Sequence, residues 1–444
     1  MRSWVPALLA AVCAAGLGCG RPAQDNLIII SPHPNEIRQE FEEGFADWYK
    51  QKTGRGVGID WLDVGGTGEA VKYIVSRNTE RLQAGGVDLF FGGGDYPFVK
   101  LGKEGLLVPH ILNDWTLARI PPQINGVAVY QPDFSWYGAA LSGFGIFFNK
   151  EVMKLRVLPL PNHWEDLARR ECFGWVASGD PRYSGSMHMM YEVLLQAYGW
   201  EKGWNVICRL GGNTQTFTKG ASSAAKDVSL GQAAYGLAID FYAFIEIERY
   251  GATRLGFIHP EGETVITPDG IALLKGAPHP DTARAFIDYV MSDGQKLWIL
   301  RPGLPGGPRH MAPCRFPVDA TLYDLPPAQR AVPVNPYAIT NTLSYDGGKG
   351  GRRWDIMGDL VAAYVITPHA ELKACWEECI RQGVSDEACA AFLRVDVTEA
   401  EAFELAQSWG KPAFADRRVQ LMNQWTRSAV ERYRKVFDQG AVKP

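Results

Sequence analysis

Hydroxyl side chains recur where the sequence predicts helices to begin, an arrangement suited to binding small anions. Thr67 and Gly68 open one predicted helix, residues 184–186 open another, and Ser222 and Ser223 open a third. The first backbone N–H groups of a helix have no partner within it and can donate to an anion, and a hydroxyl adds a further donor. An ordinary N-cap explains each of these residues taken alone. They form a binding site only if the fold brings them to one cleft.

Other side chains suit a ligand with an amine, a hydroxyl or a positive charge. Asp240 ends a predicted strand and is placed to accept a hydrogen bond from an amine or hydroxyl, with Tyr242 two residues on. Trp136 and Tyr137 form a predicted aromatic wall, and aromatic faces attract organic cations by about 0.5–2 kcal/mol. Packing at a hinge explains these two rings equally well, and His33 is equally a cap or a solvated loop residue.

Sequence motifs of hydrolases are missing from the chain. Gly185 and Ser186 stand in the wrong order for a Gly-x-Ser-x-Gly nucleophile turn, and no His-Glu-x-x-His occurs. A nucleophile, base and orienting acid, or a carboxylate pair, would be needed for hydrolysis. We therefore predict a protein that is not an enzyme, with a secreted hydrolase as the alternative from a different class.

The elements that must position these residues alternate between strand and helix. Strands are predicted at 27–30, 57–61 and 87–91, with helices at 37–48 and 69–82 between them, which is typical of a parallel α/β layer. Ligands collect at the carboxyl ends of such strands. Three polar or glycine-rich loops are expected there, at 31–34, 65–68 and 92–95.

A second α/β lobe is predicted from strands at 143–149, 172–177 and 235–240. Residues 264–273 are predicted to form a strand, a turn and a second strand, followed by a helix at 281–291. The 301–350 stretch is rich in Pro and Gly and predicts a long connection, and helices follow it. Thr398 and Glu401 have the spacing of a capping box.

Length and charge narrow the class of protein. A chain of 444 residues with 46% hydrophobic residues is long enough for two or more lobes. Its formal net charge of −4, without a long run of Lys and Arg, disfavours nucleic-acid binding.

The N-terminus resembles a bacterial lipoprotein signal. Arg2 precedes an apolar stretch at 7–17 that is too short to span a bilayer, and Gly18 precedes Cys19. Gly16 departs from the pattern, which usually has Leu three residues before the Cys. We predict that residues 1–18 are removed as a signal peptide, that Cys19 carries lipid, and that 19–26 form a tether. The mature protein is then exported to the periplasm or cell envelope.

Six cysteines would remain in the mature protein, and an exported protein can oxidise them. Their spacing leaves the pairing open, with Cys379–Cys389 as the preferred pair. A metal site at 375–389 is disfavoured because no fourth ligand lies at zinc-finger spacing.

Eight segments in order together resemble the solute-binding proteins of bacterial ABC importers, of the ferric-iron, phosphonate and thiamine type (family 1). They cover roughly residues 27–300 and are 31–36, 65–69, 87–93, 143–149, 161–167, 218–223, 268–273 and 285–292. The resemblance implies an α/β fold, a two-lobed type II clamshell like that of periplasmic binding proteins, with extra C-terminal helices. Lobe I would comprise 27–137 and 264–330, lobe II 138–263, and residues 331–444 a wrapping loop and helices. Crossings are expected near 138–142 and 256–264.

The resemblance also implies a function. The chain would capture a small ligand between its lobes for a membrane permease, as a monomer. We predict a phosphonate, phosphate ester or other small anion, bound by His33, Thr67, Gly68, Ser142, Ser184, Ser222, Asp240 and Tyr242. No resident cofactor or metal is expected. Alternatives are a thiamine or polyamine binder, a ligand-sensing lipoprotein, and a ferric-iron binder. The iron set would use His33 and Tyr242, but Phe241 stands where a second tyrosine is expected and Gly93 where a carboxylate is expected, with Asp95 close by.

Overall fold

One mixed β-sheet runs through the molecule in the computed structural model, which describes residues 24–79 and 86–438. The strands are β1 Gln24–Ile30, β2 Gly56–Leu62, β3 Leu89–Phe91, β4 Leu107–Val108, β5 Gln123–Ile124, β6 Val127–Ala128, β7 Tyr137–Asn149, β8 Val176–Gly179, β9 Thr214–Thr218, β10 Tyr235–Ile239, β11 Leu255–Ile258, β12 Ile266–Leu274 and β13 Phe316–Pro317. The order across the sheet is β2-β1-β3-β12-β7-β10-β8-β9. β4 joins β12, β11 and β13 join β7, and β5 and β6 form a separate hairpin.

Helices cover the sheet and extend beyond it. They are α1 Asn35–Thr53, α2 Thr67–Thr79, α3 Tyr96–Lys103, α4 Asp114–Leu117, α5 Lys150–Arg156, α6 Gly185–Tyr198, α7 Trp200–Asn213, α8 Ala221–Ser229, α9 Asp240–Tyr250, α10 Pro280–Met291, α11 Gln295–Ile299, α12 Gly347–Val361, α13 His369–Gln382, α14 Asp386–Ala390, α15 Glu399–Trp409 and α16 Ala415–Asp438. The capping box predicted at Thr398 is present at the start of α15.

Parallel strand pairing in both lobes directs several helix starts to one edge of the sheet. β1 pairs in parallel with β2 and β3, and β8 pairs in parallel with β9 and β10. Each of these strands is followed by a helix, so that α1, α2 and α3 begin beside the carboxyl ends in the first lobe. α6, α8 and α9 do the same in the second lobe. The predicted α/β fold with two lobes is confirmed.

Two long strands carry the chain between the lobes. β7 pairs with β12 from Tyr137 to Gly143 and with β10 from Phe144 to Phe148. β12 is one continuous strand with a bulge between Asp269 and Gly270, whereas the sequence predicted a turn there. The turn is absent because residues on both sides of the bulge pair with β7. The second crossing was predicted near residues 256–264, but β11 in that region pairs with β7 inside the second lobe.

The C-terminal extension, defined here as residues 347–438, packs on the second lobe. Its buried side chains, among them Leu360 and Tyr433, share one core with Leu194 and Ile207 of α6 and α7. The connection before it packs instead on the first lobe, where Cys314 and Phe316 join the core around β1 and α10. The extension is therefore built onto the second lobe.

Six cysteines are described, and all of them are buried with free thiols. Cys379 lies beside both Cys375 and Cys389, and the preferred Cys379–Cys389 disulfide is not formed in this structure. Cys19 and the predicted signal lie outside the described residues. Across residues 24–79 and 86–438, we find no helix that is both long enough and apolar enough to cross a membrane.

Candidate ligand-binding site

A cavity of about 290 Å³ lies between the two lobes at the carboxyl ends of the strands. Both lobes and the extension line it, through residues 32–34, 66–67, 93–97, 142, 144, 183–186, 189, 220–222, 239, 241–242, 267–269, 315 and 354. Its size is at the small end of the range for small-molecule sites. Six of the eight predicted site residues line it, namely His33, Thr67, Ser142, Ser184, Ser222 and Tyr242.

Helix starts from both lobes point their unpaired N–H groups towards this cavity. α2 begins at Thr67 in the first lobe, and α6 and α8 begin at Gly185 and Ala221 in the second. Gly220 is the N-cap of α8 and offers no side-chain acceptor, so that the first N–H groups of α8 are left for another acceptor. Such converging helix starts favour an anion without using a cationic side chain.

Ser184 and Ser142 differ in how their hydroxyls are already used. Ser184 Oγ accepts a hydrogen bond from the Met187 N–H at 3.3 Å and lies 3.2 Å from Ser186 Oγ, so that it is an N-cap as well as a cavity residue. Ser142 Oγ is buried on β7 and has no partner in the part of the chain that the structure describes. A buried hydroxyl without a partner is costly, and a ligand atom would satisfy it.

Asp269 organises the first-lobe wall of the cavity. Its Oδ2 lies 2.8 Å from His33 Nε2 and forms an ion pair with Arg315, and its Oδ1 accepts hydrogen bonds from the N–H groups of Gly93 at 2.5 Å and Gly94 at 2.8 Å. Burial alone would raise the pKa of Asp269, but the Arg315 guanidinium and the His33 hydrogen bond lower it well below its usual range. Burial lowers the pKa of His33, so that the ring is neutral.

Glycine is required beside this network for two reasons. Gly92 and Gly93 have φ of +100° and +107°, which side chains with a Cβ rarely adopt. A Cβ at Gly92 would lie 2.7 Å from the His33 ring, and one at Gly93 would lie 2.8 Å from the Thr67 side chain. The glycine loop therefore allows His33 and Thr67 to approach the end of β3.

Two predicted site residues are placed differently from the expectation. Asp240 does not line the cavity, because its Oδ2 accepts the Gly143 N–H at 2.5 Å and its Oδ1 accepts the Phe241 N–H at 2.7 Å beneath it. Asp240 therefore holds β7 to the start of α9, and the prediction that it binds a ligand amine is wrong. Gly68 follows the lining residue Thr67 but does not itself line the cavity.

The predicted aromatic wall is also wrong. Trp136 is buried beside Phe98, with ring centroids 6.0 Å apart, and Tyr137 donates its hydroxyl to the His110 carbonyl at 2.6 Å. Both belong to first-lobe cores and neither lines the cavity. Trp136 and Tyr137 are therefore not available to bind an organic cation in the cavity.

A ferric ion would find few ligands here. His33 and Tyr242 line the cavity, but Asp269 and Arg315 already engage the His33 wall, and Phe241 takes the place of a second phenolate. Among the described residues, no group of three or more His, Cys, Asp or Glu side chains is placed to hold a metal ion. The residues present do not fit the iron set.

Two cavity residues, Arg315 and Trp354, were missed at the level of sequence, and a third, Asp95, was predicted only as part of the loop at 92–95. Asp95 is the N-cap of α3 and lines the cavity, and burial raises the pKa of its carboxyl. Arg315 comes from the connection after the first lobe, and its guanidinium lies 3.9 Å from the ring centroid of Phe241 in the second. Trp354 comes from α12. Asp269 lay in a segment used for a strand prediction at 264–273 and for the family resemblance, but it was not proposed as a site residue, and no local pattern pointed to Arg315 or Trp354.

Two lobes joined by crossing strands, with an anion-suited cavity between them, define a ligand-binding protein of the clamshell class. Residues 88–298 match the family model described as bacterial extracellular solute-binding protein. The matched segment is just under half of the chain, and the chain is similar to these solute-binding proteins over that segment and in its fold.

A curated relative is the phosphoglycerate transport regulatory protein PgtC of Salmonella typhimurium, 32% identical over 159 residues. The match covers 36% of this chain and 39% of that protein, so the chain spans about two fifths of the length of the first curated relatives it matches. Two solved structures share the fold. The substrate-binding protein of an ABC transporter from Agrobacterium tumefaciens has a TM-score of 0.59 at 17% identity, covering 80% of this chain and 96% of its own. AfuA from Actinobacillus pleuropneumoniae, with fructose-6-phosphate bound, has a TM-score of 0.53 at 19% identity, covering 81% and 99%.

Proposed function

We propose that the chain is the substrate-binding component of an ABC importer and captures a small phosphate ester or phosphonate between its lobes. The observation that supports this most is the convergence of the α2, α6 and α8 starts on one cavity. Ser142 Oγ, buried there without a partner among the described residues, is independent support for a polar ligand. The ligand bridges the lobes, favours the closed form and is delivered to a membrane permease.

A phosphate ester with hydroxyl groups fits better than bare phosphate. Asp95 lines the same cavity, and a carboxylate close to a second anion is unfavourable unless it accepts a hydrogen bond from the ligand. A ligand hydroxyl supplies that hydrogen. The names of PgtC and of the AfuA complex, which mention phosphoglycerate and fructose-6-phosphate, support the same class of ligand.

The matched family consists of binding proteins, and we propose binding without turnover. Incubating the protein with each candidate ester and finding it unchanged by mass spectrometry is the expected result. Release of phosphate would move the assignment to a hydrolase.

A thermal-shift screen of the purified protein tests the ligand class. It uses 3-phosphoglycerate, fructose 6-phosphate, aminoethylphosphonate, inorganic phosphate, ferric citrate, thiamine and spermidine. A ligand at a hundred times its dissociation constant stabilises the native state by about 2.7 kcal/mol. We expect the largest shift with a phosphate ester or phosphonate. A shift confined to ferric citrate or to the cations would contradict the proposal.

Ligand sensing is a second candidate, favoured by the word regulatory in the name of PgtC. Deleting the gene and measuring uptake of a radiolabelled phosphate ester that the protein binds distinguishes the two. Lost uptake with intact ligand-induced gene expression supports the importer component. Intact uptake with lost induction supports the sensor.

Export and a lipid anchor at Cys19 complete the proposal. In cell fractionation, the Cys19→Ser protein should leave the membrane fraction while the wild type stays there. A variant that remains membrane-bound would remove the lipid assignment. We also propose that the exported protein is a monomer, which light scattering of the Cys19→Ser protein measures directly.

A further inference from the structure

Trp354 is a cavity residue that the family match does not cover. It lies on α12 in the C-terminal extension, 56 residues beyond the end of the matched segment at 298. Its ring is half-buried and forms part of the cavity wall. The extension therefore contributes to the site as well as to the second-lobe core.

The Trp354 ring stacks between the two lobes. On the second-lobe side it stacks on His188 of α6, with ring centroids 3.8 Å apart and planes at 28°. On the first-lobe side it stacks on Tyr96 of α3, at 5.1 Å and 13°. Gly351, one turn earlier on α12, lies so close to Tyr96 that a Cβ there would come within 2.8 Å of the ring.

The second-lobe half of this stack is rigid. Arg353, next to Trp354, is fully buried and makes two hydrogen bonds of 2.9 Å to the buried carboxylate of Glu192 on α6. Burial, with a contribution from the Arg353 charge, lowers the pKa of His188 to about 3, so that it offers Trp354 an uncharged face. Tyr96 belongs to the other lobe, so opening would break its stack on Trp354 together with the 3.5 Å hydrogen bond that its hydroxyl donates to the Gly351 carbonyl.

We propose that Trp354 is a clasp, which closes the cavity by stacking on Tyr96 and slows release of the ligand. When the lobes separate, Trp354 stays with the second lobe on α12 while Tyr96 moves away with the first. The clasp thus adds to the closed state an interaction that does not depend on the ligand's phosphate. The release experiment below rests on the proposed function, and the scattering experiment after it does not.

Stopped-flow release of 3-phosphoglycerate tests the clasp in the wild type and in the Trp354→Ala, Trp354→Phe and Tyr96→Ala variants. We expect about tenfold faster release for Trp354→Ala and for Tyr96→Ala, the size of effect that losing aromatic stacks produces, and a smaller change for Trp354→Phe. The double variant should release no faster than either single variant. Phe437→Ala is the matched control, because it removes an exposed ring from the far end of the same extension.

Unchanged release rates in both alanine variants would overturn the clasp. If the wild type binds no phosphate ester, the proposed function fails and small-angle scattering of the protein without ligand decides the clasp. A larger radius of gyration for Trp354→Ala and Tyr96→Ala than for the wild type and Phe437→Ala then supports it. Equal radii for all four proteins would overturn it.

Discussion

On the first-lobe wall of the cavity, Asp269 joins His33, Arg315 and two backbone N–H groups, whereas the second-lobe wall presents hydroxyls and helix starts without charge. The charge on the first wall is balanced by the Asp269–Arg315 ion pair, while the Nε–H of Arg315 has no partner among the described residues. We therefore expect the dipoles and hydroxyls of the helix starts to be the main phosphate-binding groups, with the Nε–H of Arg315 as a further donor. The comparison teaches that a positively charged residue near a cavity need not be its anion-binding group.

Removing the cation from the first wall should have the largest effect on stability. Arg315→Met leaves the buried Asp269 carboxylate without its charged partner, and breaking such a pair costs about 3–5 kcal/mol. Urea unfolding measures the loss. Arg301→Met is the control, because Arg301 pairs with Glu248 at a partly exposed site where an ion pair contributes about 0–1 kcal/mol. Equal losses in the two variants would show that the first wall does not depend on its buried charges.

His188, which lies behind Trp354 on the second-lobe side, predicts a dependence of stability on pH. His188 has a pKa of about 3 in the folded protein, against about 6.5 when unfolded. The unfolded chain therefore binds a proton that the folded one does not as pH falls from 6.5 to 3, and the free energy of unfolding decreases by about 1.4 kcal/mol per pH unit.

His188→Phe keeps a ring against Trp354 and removes this titration, so that the stability of the variant should fall less steeply with acid. Unfolding at a series of pH values measures both slopes. Above pH 7 the difference between the two proteins should be constant, because His188 is then neutral in both states. Parallel slopes below pH 6 would contradict the lowered pKa of His188 in the folded protein.

The Asp95→Asn variant tests the charge on the first wall further, with a smaller expected effect on ligand affinity. Removing a negative charge beside the anion should raise the affinity for inorganic phosphate a few-fold, and it should lower the preference for hydroxylated esters over phosphate. Calorimetric titration with phosphate and 3-phosphoglycerate measures both affinities. Asp114→Asn, at the start of α4 and outside the cavity, is the control. A loss of affinity for both ligands would contradict the role given to Asp95.

Much of the fold was predictable because its local patterns are strong. Short apolar runs such as residues 27–30 and helical periodicity after them predicted β1 and α1, and the alternation predicted parallel strands. The start of β8 was misplaced, because Cys172 ends a 3-10 turn and the strand begins only at Val176. A buried apolar residue gives the same local sequence pattern in a 3-10 turn as in a strand.

The site was less predictable because the local sequence does not determine which way a side chain faces in the folded protein. An Asp after a strand can face a ligand or cap the backbone, and Asp240 does the second while Asp269, in mid-strand, organises the cavity wall. Arg315 and Trp354 reach the cavity only through the path of the long connection and the packing of α12. The placement of Thr67, Ser184 and Ser222 at helix starts beside the cavity was predictable, because helix starts have a local sequence pattern, whereas their binding of a ligand stays a prediction.

Calorimetric titration of Ser184→Ala/Ser222→Ala with the phosphate ester selected in the screen tests the central claim most directly. The control is Ser385→Ala, which removes an equivalent N-cap from α14, away from the cavity. Both proteins should lose about 1 kcal/mol of stability at an N-cap. The account predicts at least about tenfold weaker binding for the cavity variant alone, from two lost hydrogen bonds. Equal affinities in the wild type and both variants would contradict it.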